Sequence, residues 1–233
     1  MSAKVMVFID GAWLYRSRPV LFAKLGEESG FEIDYKKLPK IFCEDVANFL
    51  DEDVSLVRTH YFGTIPSARS GFNTTKQYSF YNFLEKSCGY ETEIHEVDIG
   101  AGDRQDEMWI KMSLAASLLF YAAQPAAYDV AIIIGDDVDY APAIKRSRLF
   151  GKRIQVVGVH GVDGTPPASG TSLFWKARVN DFPPIYLDDH AEDMRLVREH
   201  VVRVCRQCGQ EEETTWAGPD FFCSACRGKY RNG

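Results

Sequence analysis

The polar and apolar positions of this chain fall into short hydrophobic runs separated by longer segments with helical spacing. The runs cover residues 4–9, 54–63, 90–98, 128–134 and 152–159. Near-continuous runs such as Val5-Met6-Val7-Phe8-Ile9 predict strands covered on both faces, and 128–134 is the most apolar and the central one. Between the runs, apolar residues recur every three to four positions. Leu38, Ile41, Phe42, Val46 and Phe49 predict a helix over 34–50, and Tyr78, Phe80, Tyr81 and Leu84 one over 76–88. Met108, Met112, Ala115, Leu118 and Leu119 predict one over 107–121, with Asp103 placed to cap it. Residues 139–150 predict another, stopped by Gly151. Residues 13–28 read as helix and loop interrupted by Pro19, 64–75 and 162–170 as loops, and 171–177 as a short helix. A short strand over 182–187 and a polar helix over 188–199 complete the body. Strands alternating with helices predict an α/β domain over 1–187, a mainly parallel sheet between two helical layers.

Four acidic residues far apart in the chain share one position in this pattern. Asp10 follows the first run, Asp106 opens a helix, and Asp137 and Asp139 follow the run ending at Ile134. In an open parallel sheet, ligands bind outside the carboxyl ends of the strands. Carboxylates gathered there repel one another unless cations hold them, and hard cations such as Mg²⁺ or Mn²⁺ take oxygen ligands. Each residue also has an ordinary structural use. Asp10 suits a turn before Gly11, Asp106 a helix N-terminus, Asp139 an N-cap, and Asp136 and Asp137 a solvated bend.

The chain has 233 residues, 45% hydrophobic and 26% charged, which excludes a disordered chain. No run reaches transmembrane length and the first residues lack a signal peptide, so a cytoplasmic protein without membrane contact is expected. The net charge of −6 argues against coating nucleic acid by charge alone. Contact with a polyanion would need a local basic patch and bridging cations.

Three segments resemble NYN domains of the PIN-like nuclease superfamily. VFIDGAWLY resembles the family's opening motif, with Trp13 where Asn is usual. Residues 128–140 resemble a strand followed by an SGDSDF-type turn, with Gly135 for Ser, Asp136 for Gly, and Asp137, Asp139 and Tyr140 in register. Arg104-Gln105-Asp106-Glu107 resembles a helix start that presents one carboxylate, while a second helical Asp is replaced in the region of Lys111 and Met112. The resemblance implies a PIN-like three-layer α/β/α sandwich and a metal-dependent endoribonuclease. Asp10, Asp106, Asp137 and Asp139 would hold Mg²⁺ or Mn²⁺, and a metal-activated water would hydrolyse the phosphodiester. It also implies RNA, single-stranded, as substrate. The departures at Trp13, Gly135 and Lys111 motivate an alternative, a non-catalytic adaptor that binds RNA or protein. A small-molecule phosphohydrolase would use the same carboxylates.

Trp13, Arg16, Arg69, Lys145 and Arg146 are candidate substrate contacts, the arginines and lysine to phosphates and Trp13 to a base, with a core or rim aromatic the alternative for Trp13. Around Lys145 the alternative is a solvated helix face. Tyr61, Phe72 and Tyr140 could stack on unpaired bases, with packing in the body the ordinary alternative. The five histidines are scattered without catalytic or zinc spacing and read as structural or surface residues.

Cys205, Cys208, Cys223 and Cys226 form two CxxC knuckles fourteen residues apart. The spacing resembles zinc ribbons and predicts a structural Zn²⁺ held by four thiolates over 200–233. Gly209 and Gly228 suit turns around the metal-bound sulfurs. A pair of disulfides is the alternative, disfavoured in a reducing compartment. The ribbon's nearly balanced charge fits RNA, a protein partner or homodimerisation. Cys43 and Cys88 fall within helices and read as small packed residues.

Overall fold

The computed structural model describes residues 2–25, 32–98, 103–136, 138–160, 180–197, 200–216 and 218–231; at 70, 103–107 and 229–231 the backbone alone is described. The expected loop 162–170 and short helix 171–177 fall outside these residues. The chain divides into two compact units, Met1–Arg195 and Leu196–Gly233.

The first unit is built on a six-stranded sheet of β1 (Ala3–Asp10), β2 (Val54–Pro66), β3 (Glu91–Val97), β4 (Val130–Ile134), β5 (Arg153–Gly158) and β6 (Ile185–Tyr186). The spatial order is β3-β2-β1-β4-β5-β6 and every pairing is parallel. All carboxyl ends therefore share one rim. β1 and β4 are central, and all five residues of β4 are buried. Side chains alternate between two cores. Val5, Val7, Ile9, Val130, Ile132 and Ile134 face one, packed by α1 (Gly11–Leu25), α2 (Leu38–Leu50) and α3 (Thr75–Cys88). Met6, Phe8, Ala131, Ile133, Ile154 and Val156 face the other, packed by α4 (Asp103–Ala123) and α5 (Ala141–Leu149). This is the expected α/β/α sandwich with a mainly parallel sheet.

Several local expectations change. α1 begins directly after β1, with no loop, and runs through Pro19. A Cβ at Gly11 would lie 2.5 Å from Tyr61 Oη and 2.6 Å from the Phe62 carbonyl oxygen, so glycine is what lets strand become helix at that point. Over its described part, 188–197, the polar helix expected over 188–199 does not form. Leu187–His190 is a 3-10 turn, and Arg195 bridges Ile33 in an antiparallel pair. Ala191 and Met194 are buried against the first core, so packing rather than helical propensity sets this segment. α4 starts at Asp103, which is thus a helical residue rather than its cap. A 3-10 turn, Val138–Tyr140, precedes α5. No described helix is long and apolar enough to cross a membrane.

The second unit carries an antiparallel hairpin, β7 (Val201–Val204) with β8 (Glu211–Thr214), and α6 (Ser224–Arg231). Its core is Cys205, Phe221, Cys223 and Cys226.

Candidate active site

Chain order reverses direction between β1 and β4. β2 and β3 extend the sheet to one side of β1, and β4 to β6 to the other. The crevice outside the carboxyl ends of β1 and β4 is therefore the topological switch point, where open α/β sheets bind ligands.

Asp10, the last residue of β1, stands at this crevice and is 2% exposed. The Trp13 backbone N–H donates to its Oδ1 at 2.8 Å, and the Tyr140 hydroxyl donates to its Oδ2 at 2.6 Å. Trp13 is the third residue of α1, so Asp10 caps that helix and its charge faces the positive end of the helix dipole. The Tyr140 bond ties the turn after β4 to the end of β1. Gly135 lies against Asp10, since a Cβ there would be 3.1 Å from Asp10 Cβ and 3.6 Å from Tyr140 Cε2. A serine at this position would crowd the carboxylate.

Asp136 follows at the end of β4 and is 7% exposed. The expectation of a solvated bend is thus corrected, because the turn after β4 folds inward toward Tyr140, itself fully buried. Asp139 sits in the 3-10 turn with its side chain exposed, and Lys111 Nζ of α4 donates to its Oδ2 at 2.9 Å. Asp106 lies in the first turn of α4, where the backbone alone is described, and Asp137 lies outside the described residues. Among the described residues, the carboxylate oxygens of Asp10, Asp136 and Asp139 are not all within 4.8 Å of one another. The donors are all oxygens, which is the chemistry that suits a hard cation such as Mg²⁺, an ion that takes one or two carboxylates and keeps several waters.

Trp13 is half-buried against the first core, and Arg16 is exposed on α1. Arg69 is exposed in the 3-10 turn Ala68–Ser70, just beyond the carboxyl end of β2. Lys145 and Arg146 are exposed in the second turn of α5. Of the three candidate stacking aromatics, two take the packing alternative. Tyr61 is buried beneath Gly11, where desolvation raises its phenol pKa well above the usual value, and Tyr140 is buried on Asp10. Phe72 remains exposed.

A second group stands on the rim, without a local signal in the chain. After β5, His160 Nδ1 lies 3.1 Å from Asp188 Oδ2, and the His160 backbone N–H donates to Asp188 Oδ1 at 2.9 Å. Asp188 is buried, and Lys24 Nζ reaches Asp189 at 3.3 Å. The His160 ring stacks on Tyr186, with centroids 3.6 Å apart. Burial raises the Tyr186 phenol pKa, and Asp189, Asp136 and Asp188 raise it further, which puts this group within electrostatic reach of Asp136. The scattered histidines thus have carboxylate partners, and His160, His60 and His190 find theirs far along the chain, where spacing does not reveal them. The other pairs are His60–Glu91, His95–Glu93, His190–Asp45 and His200–Glu213.

In the second unit, the sulfurs of Cys205, Cys208, Cys223 and Cys226 lie within 4.8 Å of one another. Cys208 Sγ and Cys223 Sγ are 3.6 Å apart. A disulfide would need about 2.05 Å. Tetrahedral ligation at about 2.3 Å sets sulfurs about 3.8 Å apart, so the cluster has the right size for Zn²⁺. The Cys223 backbone N–H donates to Cys205 Sγ, and this bond leads in lowering the Cys205 thiol pKa to about 6. Gly209 has φ of +73°, as the knuckle turn requires, whereas Gly228 lies within α6.

No curated protein and no solved structure matches the chain. A family model, that of the NYN domain, matches residues 4–174, from Lys4 of β1 to beyond β5, and includes Asp10, Asp106, Asp136, Asp137 and Asp139. The chain therefore belongs to the NYN domain family, a family of PIN-like nucleases.

Proposed function

We propose that this protein is a metal-dependent endoribonuclease acting on single-stranded RNA. The observation that carries the reading is Asp10, a buried carboxylate at the switch-point crevice of a nuclease-family sheet, anchored from α1 and from the turn after β4. Asp10, Asp106, Asp137 and Asp139 would hold Mg²⁺ or Mn²⁺, with Asp136 close behind. A bound divalent cation lowers the pKa of water and offsets charge on the phosphoryl oxygens. The chain's own part is to fix those carboxylates on rigid strand and helix ends and to meet the rest of the strand with cations. Arg69 and Arg16, exposed beyond β2 and on α1, are the phosphate contacts this assignment favours. The four-cysteine unit would hold one structural Zn²⁺. Three of its arginines, those whose side chains are described, are engaged within the unit: Arg203 donates to the Gly218 carbonyl, and Arg206 and Arg227 pair with Asp220 and Glu212. That favours a protein partner over RNA for this surface.

A second reading rests on Lys111. An ammonium 2.9 Å from Asp139 already neutralises one carboxylate of the set, as expected of an adaptor that has lost its metal. The deciding experiment incubates end-labelled single-stranded RNA and DNA with the protein in Mg²⁺, Mn²⁺ or EDTA, beside Asp10→Asn. Asparagine keeps the acceptor for Trp13 N–H, so the variant folds. RNA cleavage that needs metal and disappears in the variant supports the nuclease. RNA binding unchanged by EDTA, without cleavage in any lane, supports the adaptor.

A further inference from the structure

Helix α4 is apolar on both of its faces. Between Lys111 and Asp129 no residue carries a charge. Ile110, Leu114, Leu118 and Ala122 form the stripe buried on the sheet. On the outward side, Met108 is 56%, Met112 61% and Phe120 59% exposed, with exposed Ala116 between them and Trp109 beside them. Spacing by four residues sets these side chains on one ridge, inclined to the helix axis and drifting by about 40° per step. A helix covering one face of a sheet ordinarily turns polar residues outward; one that is apolar all round is covered on both sides. The helix does not qualify as a membrane span. The uncovered area of the stripe, counting Trp109 and the alanines, is on the order of 600 Å², the upper limit for the largest apolar patch of a typical monomer.

The flanks of the stripe differ in charge. On one side lies β3, the edge strand, with Glu93 and with Glu91, which is paired with Arg58. His95 of the same strand contacts Ser113 and stacks on Trp109, so this flank adjoins the stripe directly. On the other side lies α5, with exposed Lys145 and Arg146.

We propose that a second copy of this chain covers the α4 face, with the two α4 helices parallel about a two-fold axis that runs along them. Each residue of the stripe then meets its own equivalent, Met112 on Met112 and Phe120 on Phe120. No charge is buried, and the acidic flank of each copy faces the basic flank of the other. The antiparallel alternative sets like-charged flanks against each other. Both copies together would bury about 1,200 Å², the lower bound for specific interfaces, so the dimer is reversible.

The test is sedimentation velocity of the full zinc-loaded chain as a function of concentration. A monomer–dimer equilibrium is expected, with Phe120→Glu and Met112→Glu each weakening it by about tenfold or more. Both side chains are exposed, and circular dichroism verifies that the variants fold. Met112→Cys and Phe120→Cys should each cross-link to their own equivalents under mild oxidation, above the background of the unmodified chain. A monomer at all concentrations, a dimer unmoved by both glutamates, or a sensitive dimer in which neither cysteine cross-links overturns the proposal.

Discussion

Replacing Tyr140 with Phe tests the central feature of the candidate site. The substitution preserves ring packing and removes only the hydroxyl that donates to Asp10 Oδ2 at 2.6 Å. Tyr140 is fully buried and Asp10 is 2% exposed, so bulk water cannot take over the lost bond. Bonds to charged groups contribute about 1.5–3 kcal/mol. For a unit of this size that corresponds to a fall in Tm of roughly 3–12 °C. Tyr128→Phe is the matched control. Tyr128 is also fully buried, but its hydroxyl donates to the neutral Leu118 carbonyl at 3.2 Å, worth only about 0.5–1.5 kcal/mol. The assay is urea unfolding in EDTA at neutral pH, followed by tryptophan fluorescence and circular dichroism. Tyr140→Phe should lower stability more than Tyr128→Phe, and added Mn²⁺ should restore part of the difference by engaging the carboxylate. A Tyr140→Phe effect within about 0.5 kcal/mol of zero would refute the claim that this hydroxyl holds Asp10.

Lys111→Met removes the ammonium facing Asp139. At this separation, in the high effective dielectric of a half-exposed pair, its competition with a bound cation is worth about 1 kcal/mol, so Mn²⁺ affinity measured by titration calorimetry should rise about fivefold. Unchanged affinity would put Asp139 beyond the ion's reach. Stripping zinc with a chelator should expose Cys205, Cys208, Cys223 and Cys226 to a thiol reagent and change the fluorescence of Trp216, while the Met1–Arg195 unit keeps its unfolding transition. Loss of both transitions together would contradict two independent units. The His190 pKa is raised above its ordinary value, chiefly by its hydrogen bond to Asp45. A raised folded pKa gives stability that is full below about pH 6.5 and fades as pH rises through the folded value. The deficit of His190→Gln against the parent should therefore be larger at acidic than at alkaline pH, and a pH-independent deficit would remove the pair from the account.

The layers of the fold were legible because each strand is covered on both faces. Continuous burial of β4 forces a continuous apolar run, and the alternation of runs with helical segments then implies a parallel sheet. The placement of Asp10 and Asp139 at strand and turn ends followed from the same pattern. What stayed hidden depends on contacts distant in sequence. The start of α1 at Gly11 answers to the Tyr61 hydroxyl fifty residues away, against the local signal of Pro19. Asp136 and Tyr140 read as surface residues because a turn of small and acidic residues looks solvated, and only the fold of that turn onto β1 buries them. Residues 188–199 looked helical and polar, yet Ala191 and Met194 gain more from the core than a solvated helix would give. The His160–Asp188 pair joins the ends of neighbouring strands, which no local spacing encodes.

The two departures from the family's usual residues near Asp10 have a common physical reading. At position 13 the group that reaches Asp10 is the backbone N–H, which any residue but proline supplies, so tryptophan keeps the cap while its ring packs on the core. At position 135 a serine would need space that Asp10 Cβ occupies at 3.1 Å, and glycine lets β4 approach β1 closely enough for Tyr140 to reach the carboxylate. The hold on Asp10 thus relies on a backbone donor, a close strand approach and one phenol, none of which the substitutions remove. Lys111 is the departure that adds a positive charge, because it sets a cation on Asp139, whereas Asp136 in place of Gly adds a carboxylate. If the site has lost its metal, the cause lies at Lys111 rather than at Trp13 or Gly135. Restoring metal affinity should then require a change at position 111 alone, and Trp13→Asn or Gly135→Ser should restore nothing.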